Sequence, residues 1–330
     1  MIRLAFIVAC LLLFPVVRMI HAIPTASDMP VETDLTQLSH SGRHTVSLRV
    51  DGRERKFILV TPTGFQSGHQ LPIVFFFHGA SGTARQASRT YGWAEKADKE
   101  HFIAVFPEGL PFRPDKEPSF VLNPNIWRDE RSGMQASNVN DVHFFEVLLG
   151  QLQAALPIDA HRIYVTGFSN GAGLTFTLGG HFSDRIAAIA PVSSQSFAPI
   201  RSLARPLPVY YLVGTADPLV LYQGGESRLP WGNTRNLPPV QESVDQWARL
   251  DGCPATPQVM SDSDGVKVVR YGPGRNNSEV IFTTVEGNGH HWPGTVEPLP
   301  HAISGPSVDP FVATDRIWDF FRAHPMGGTN

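Results

Sequence analysis

Ser169 stands in Gly167-Phe168-Ser169-Asn170-Gly171. The β-branched run Arg162-Ile163-Tyr164-Val165-Thr166 leads into it, and Ala172-Gly173-Leu174-Thr175-Phe176-Thr177-Leu178 follows. The first run reads as a buried strand and the second as a helix. A serine at such a corner occupies a sharp, strained turn that lifts its Oγ above the sheet edge. The glycines two residues to either side are required because a Cβ there would collide with the turn. The helix starting at the corner aims its unpaired N–H groups at the same spot, where they stabilise negative charge. Such an arrangement suits attack by a hydroxyl on an electrophilic carbon, with an oxyanion forming beside it.

A serine hydroxyl needs a base to take its proton, and the base needs an acid to orient it. In α/β-hydrolases the three follow in the order serine, acid, histidine, each in a loop after a strand. That order is present. Asp217 lies in Gly214-Thr215-Ala216-Asp217-Pro218, directly after the apolar run 209–213, and His290 lies in Gly287-Asn288-Gly289-His290-His291-Trp292-Pro293-Gly294, directly after 280–285. Asp217 has a plainer reading as a turn residue before proline. Asp184 and Asp245 are rivals for the acid but fall in or beside helical segments, and His291 competes with His290.

Two N–H donors must face the developing charge. Asn170 supplies one. The other is assigned to Ala80 in Phe77-His78-Gly79-Ala80-Ser81-Gly82, with Ser81 as the alternative. His78 is expected to shape this loop as a hydrogen-bonder. Trp292, Trp127, Trp231 and His78 are the expected substrate contacts, against the alternative that Trp127 and Trp231 are core residues.

These residues need a frame. Residues 44–50 and 55–60 alternate around Asp51-Gly52 and predict a hairpin with one solvated face. The continuous apolar run 71–77 predicts a strand covered on both faces, and further buried strands are expected at 103–106, 163–166, 187–190, 209–213 and 280–285. Amphipathic helices are expected at 86–100, 142–156, 239–250 and 314–323. Strands alternating with helices predict an α/β fold with a mostly parallel sheet and antiparallel strands at its N-terminal edge. The irregular, proline-bearing stretches 111–124 and 223–239 follow strand ends and are candidate walls of a cleft.

With 330 residues and 42% hydrophobic content the chain can fill a large core. Its 27 Lys+Arg against 30 Asp+Glu, with no basic block, argue against nucleic acid as a partner. Met1-Ile2-Arg3 and the apolar stretch to residue 17, ahead of Ile20-His21-Ala22, read as a signal peptide over 1–22. Secretion or periplasmic export follows, without stable membrane association; a retained anchor is the alternative. Cys10 reads as part of the signal rather than a lipidation site. Residues 23–41 read as a loose lead-in and 42–330 as one catalytic domain without an appended binding domain. Cys253 then has no internal partner, and its loop holds no nearby histidine that would make it catalytic. The 13 histidines show no His-Glu-x-x-His or His-x-His spacing, so neither a metal nor a cofactor is expected.

Taken together, His78-Gly79, Asp141 opening a helix, the stretch from Ile163 to Ala172, Gly214-Thr215-Ala216-Asp217, Trp247 with Asp251-Gly252-Cys253, and the final His290 loop resemble the polyhydroxybutyrate depolymerase family of esterases. That family shades into bacterial feruloyl and acetylxylan esterases. The resemblance implies an α/β-hydrolase fold, an acyl-serine route through Ser169, Asp217 and His290, and a small or polymeric ester as substrate. It places polyhydroxybutyrate-type polyester or oligomers first and plant-wall feruloyl or acetyl esters second. A binding protein on an inactive hydrolase scaffold is the remote alternative. Two departures stand out. Asn288 and His291 replace the family's Gly and Thr, and no cysteine occurs near 271–276 to pair with Cys253 as relatives often do.

Overall fold

The alternation read at 44–60 forms a hairpin: β1 (Gly42–Val50) pairs antiparallel with β2 (Arg53–Thr61). Its two-residue turn has positive φ at both Asp51 and Gly52, which matches the twist of the flanking strands. The structure, a computed structural model, describes residues 35, 40–65, 68–130, 138–229, 232, 234–296 and 299–327. The expected signal peptide and most of the lead-in lie outside them.

After the hairpin come β3 (Leu71–Phe77), α1 (Ala84–Thr90), α2 (Trp93–Glu100), β4 (Ile103–Pro107) and the short β5 (Leu110–Pro111) and β6 (Asn125–Ile126). The middle of the chain holds α3 (Asp141–Ala155), β7 (Ile158–Phe168), α4 (Asn170–His181), β8 (Ala188–Val192) and β9 (Val209–Gly214). A small hairpin, β10 (Gly225–Arg228) with β11 (Thr234–Leu237), precedes α5 (Val240–Asp251). The chain then runs through β12 (Gln258–Ser263), β13 (Val266–Tyr271), β14 (Val280–Val285), α6 (His301–Ser304) and α7 (Ala313–Ala323).

Ten strands make one sheet in the order β1-β2-β4-β3-β7-β8-β9-β14-β13-β12. The six from β4 to β14 are mutually parallel, so their carboxyl ends share one edge. Helices cover both faces, and the alternating side chains of β3 show why the run had to be apolar throughout. Ile73, Phe75 and Phe77 join a core with Phe145, Leu149, Leu174 and Trp247. Val74 and Phe76 join a second core with Trp93, Phe102, Tyr164, Trp318 and Phe321.

Two expectations need correction. The helix read over 86–100 is two helices, because Gly92 adopts φ 72° between them and ends the helical path. Antiparallel strands occur at both sheet edges: β12, β13 and β14 form a second antiparallel run at the far side.

Asp251 ends α5 and is fully buried. Its Oδ1 accepts the Leu207 N–H at 2.7 Å, tying the helix to the start of β9, while Oδ2 has no hydrogen-bond partner. Burial pushes this carboxyl up to about 7. Next to it Cys253 is a free thiol, pushed up to about 11 by burial. The chain opposite is Gly274, packed so tightly that a Cβ there would lie 2.8 Å from Sγ.

The sign of the Asp251 effect is definite. The unfolded carboxyl ionises near pH 4, whereas the folded one holds its proton to about pH 7, so this group's contribution to stability declines across that window and stays low above it. Asp251→Asn retains the acceptor for Leu207. Unfolding of both proteins from pH 4 to 8 is expected to show the stability difference moving in the variant's favour as pH rises. A pH-independent difference contradicts a protonated Asp251.

Candidate active site

Ser169 links β7 to α4 with φ 54° and ψ −120°, a conformation that costs a non-glycine residue about 1–3 kcal/mol. The turn closes only because its neighbours lack side chains. A Cβ at Gly171 would lie 2.1 Å from the Phe77 carbonyl oxygen, and one at Gly167 would lie 2.6 Å from the Gly171 backbone. The Ser169 N–H donates to Val192 O at 2.9 Å, which fastens the corner to the end of β8. Ser169 is half-buried and forms the N-cap of α4.

Asp217 and His290 come together as read. His290 Nδ1 lies 2.7 Å from Asp217 Oδ2, with both side chains almost fully buried. Asp217 Oδ1 accepts the Leu219 and Val220 N–H groups, both at 2.8 Å, so both carboxylate oxygens are held. The His290 N–H donates to Ser304 O at 2.6 Å, and its ring packs on that of Phe168, centroids 4.8 Å apart. Nδ1 is thereby committed to the acid. Nε2 carries no hydrogen bond among the described residues, and the Ser169 hydroxyl likewise has none within 3.5 Å. Catalytic hydrogen bonds are commonly long before substrate binds.

The rivals fall elsewhere. Asp245 accepts from Gln241 on α5. His291 points to Gly305 O at 2.9 Å and does not touch Asp217. Asn288 is buried and accepts the Val308 N–H through its side chain, which holds the loop at 287–291 against 304–308.

Around the serine, Gly79 lies close enough that a Cβ there would be 3.2 Å from Ser169 Cβ. Of the two residues named for the loop after β3, the Ser81 N–H donates to Asn125 O at 2.8 Å, whereas the Ala80 N–H has no acceptor among the described residues. The Asn170 N–H opens α4 and lies outside its ladder of internal bonds.

The expected substrate contacts are corrected. Trp292 and Trp127 are both 0% exposed and belong to the two cores rather than to a cleft. The Trp292 indole donates to Thr314 Oγ1, and the Trp127 indole to His78 O at 2.9 Å. Each polar handle finds a partner inside the protein, which lets the ring be buried completely. His78 is buried as well. Nε2 accepts the Gly109 N–H at 3.0 Å and Nδ1 donates to Gly79 O at 2.7 Å. Burial lowers its pKa to about 4, so it stays neutral at physiological pH. Trp231 lies outside the described residues.

Sequence reasoning missed a buried group beneath the site. Asp141 Oδ1 accepts from Arg55 Nη2 at 2.6 Å, and its Oδ2 accepts the Arg128 N–H at 2.8 Å. The Arg128 guanidinium in turn donates to the carbonyls of Leu110, Pro111 and Ile126. Asp141 opening a helix was the one available signal. Among the described residues no group of three or more His, Cys, Asp and Glu side chains is placed to hold a metal ion.

No family model matches the chain. It is similar to feruloyl esterase B of Piromyces equi, 26% identical over 72% of this chain but only 42% of that protein's length. Feruloyl esterase D of Neurospora crassa is 23% identical, with 84% of each chain covered. Poly(3-hydroxyalkanoate) depolymerase C of Paucimonas lemoignei is 22% identical over 78% of this chain and 62% of its own. Among solved structures, the acetyl xylan esterase of Aspergillus awamori superposes with a TM-score of 0.53 at 15% identity, covering 85% of this chain and 99% of that one. The chain has the α/β-hydrolase fold, and its relatives carry the names of the esterases its motifs resemble.

The loops that carry Asp217 and His290 touch at Gly214, where a Cβ would lie 2.1 Å from the Asn288 carbonyl oxygen. Gly214→Ala is expected to cost about 1–3 kcal/mol in urea unfolding, since backbone must move to admit the methyl group. A variant as stable as the parent contradicts this contact.

Proposed function

We propose that the protein is a serine carboxylic-ester hydrolase working through an acyl-enzyme. The buried Asp217–His290 pair beside the strained Ser169 corner is the observation that carries the reading. Ser169 Oγ attacks the ester carbonyl carbon while His290 Nε2 takes its proton, and Asp217 holds Nδ1–H and stabilises the imidazolium. The carbonyl oxygen becomes an oxyanion facing the Asn170 and Ala80 N–H groups. His290 returns the proton to the leaving alkoxide as the C–O bond breaks, releasing the alcohol. Water, deprotonated by the same nitrogen, then attacks the acyl-serine, which releases the carboxylic acid and restores the hydroxyl.

For the substrate, an apolar polyester of the hydroxyalkanoate type or its oligomers is the first reading. Phe112, Phe120, Val121 and Leu122 are exposed on the loop between β5 and β6, Leu122 by 81%. That loop is joined to the oxyanion side by Ser81 Oγ, which donates to Phe120 O at 2.7 Å. An apolar rim suits an ester embedded in hydrophobic material. Feruloyl esters of plant-wall polysaccharide are the second reading, favoured by the names of feruloyl esterases B and D among the relatives. Secretion is part of the proposal; among the described residues no helix is long and apolar enough to cross a membrane.

Two measurements test this. Mixing with p-nitrophenyl butyrate is expected to give a burst of nitrophenol, abolished by Ser169→Ala and reduced about 10⁴-fold in kcat by Asp217→Asn. Full turnover in Ser169→Ala ends the proposal. Parallel hydrolysis of hydroxybutyrate oligomers and methyl ferulate is expected to favour the oligomers, and the reverse order installs the second reading.

A further inference from the structure

The two oxyanion donors lie on separate loops, one after β3 and one at the start of α4, and a third segment bridges them. Residues 125–127 bond to both. On the β3 side, Asn125 O accepts the Ser81 N–H at 2.8 Å, Asn125 Nδ2 donates to Gly82 O at 3.2 Å, and Trp127 Nε1 donates to His78 O at 2.9 Å. On the α4 side, the Asn170 side chain grips the Trp127 backbone twice. Its Oδ1 accepts the Trp127 N–H at 2.6 Å, and its Nδ2 donates to Trp127 O at 2.9 Å. The same Nδ2 lies 3.5 Å from Asp129 Oδ2. All these groups are buried or nearly so, and the Trp127 ring stands edge-on to Phe77 with centroids 5.1 Å apart.

The strap is itself fixed. Arg128, the next residue, is bonded through its N–H to Asp141, whose other oxygen takes Arg55 from β2. A segment so held cannot slide toward either loop without breaking buried hydrogen bonds, each of which leaves a desolvated polar group behind.

We infer that Asn170 works twice: its N–H is an oxyanion donor, and its side-chain amide, through the Trp127 strap, sets that donor's distance from Ala80. In its second capacity Asn170 is a positioning residue, and Trp127 is another. The inference rests on the esterase reading and adds to it a reason for asparagine at this position, since any residue type but proline supplies the N–H. An amide is the one uncharged side chain of this length that presents an acceptor and a donor side by side to a single peptide unit.

The experiment separates the side chain from the backbone donor. Asn170→Ala keeps the N–H and removes the grip; Trp127→Phe keeps an aromatic ring at this position and removes the bond to His78 O together with part of the buried indole. Steady-state kinetics on p-nitrophenyl butyrate and the affinity of a phenylboronic acid, which forms a tetrahedral adduct on the serine, are measured for both variants and the parent. For Asn170→Ala, kcat is expected to fall about 10- to 100-fold with KM within about twofold, the cost of misplacing a donor rather than deleting it. Boronate affinity is expected to weaken by a similar factor. Trp127→Phe is expected to show the same pattern at smaller amplitude, which keeps the inference testable should Asn170→Ala fold poorly. Parental kcat and boronate affinity in either folded variant overturn the inference and leave the esterase reading intact. A rise in KM at constant kcat overturns it too. A parent protein that neither hydrolyses the ester nor binds the boronate overturns both.

Discussion

The upper edge of this sheet is organised around one backbone contact. The first turn of α4 rests on the last carbonyls of β3, so closely that a methyl group at Gly171 would sit 2.1 Å from Phe77 O and 2.6 Å from His78 O. Because β3 and β7 are parallel neighbours, the loop leaving β3 and the corner leaving β7 emerge side by side, and this contact sets their separation. The strain at Ser169, about 1–3 kcal/mol, is small beside what surrounds it. Phe168, Ala172 and Leu174 are all buried, and full burial of a single large apolar side chain contributes about 1.5–3 kcal/mol. The strained conformer persists because relaxing it would pull those neighbours out of two cores.

The Asp217–His290 pair obeys a different constraint. Burying a carboxylate is costly unless its oxygens are filled, and Asp217 meets that cost with two backbone N–H groups and one imidazole. Removing water from around the pair strengthens its mutual attraction. Its location follows from topology: β9 and β14 are parallel neighbours, and the loops leaving them carry Asp217 and His290. Asp245, on a helix flank, has no comparable enclosure.

Legibility in the sequence followed the physics of each feature. Strand β3 was readable to the residue because burial on both faces demands uninterrupted apolar character. Strand β12 was not readable, since Gln258–Ser263 is exposed along its whole length and shows no alternation. The break in the helical run read over 86–100 turned on the positive φ of Gly92, which the amphipathic pattern around it concealed. The neighbourhood of Asp217 and His290 was legible because each occupies a glycine-marked turn directly after a strand, as Ser169 does. Trp127 and Trp292 were misplaced because residue type alone does not tell a cleft wall from a core aromatic; the deciding facts are the acceptors at His78 O and Thr314 Oγ1. The grip of Asn170 on Trp127 joins residues 43 positions apart, and Arg55–Asp141 joins residues 86 apart. No local pattern encodes contacts of that range.

That polar layer also explains why a site on loops can be rigid. Apolar packing is non-directional and leaves loop backbones free to shift against one another, whereas hydrogen bonds fix both distance and angle. The buried Arg55–Asp141 pair is weak grounds for claiming net stability, because desolvating two charges offsets much of their attraction. Its consequence is geometric. With the Arg55 guanidinium 3.8 Å over the Phe144 ring and Asp141 bonded to the Arg128 backbone, β2 and α3 together hold the segment that spans the oxyanion loops. Arg128 then gathers the carbonyls of Leu110, Pro111 and Ile126 on the short β5–β6 pair. The charges thus fix the position of the segment 125–128, and the backbone around Ser169 owes part of its rigidity to residues well outside its own turn.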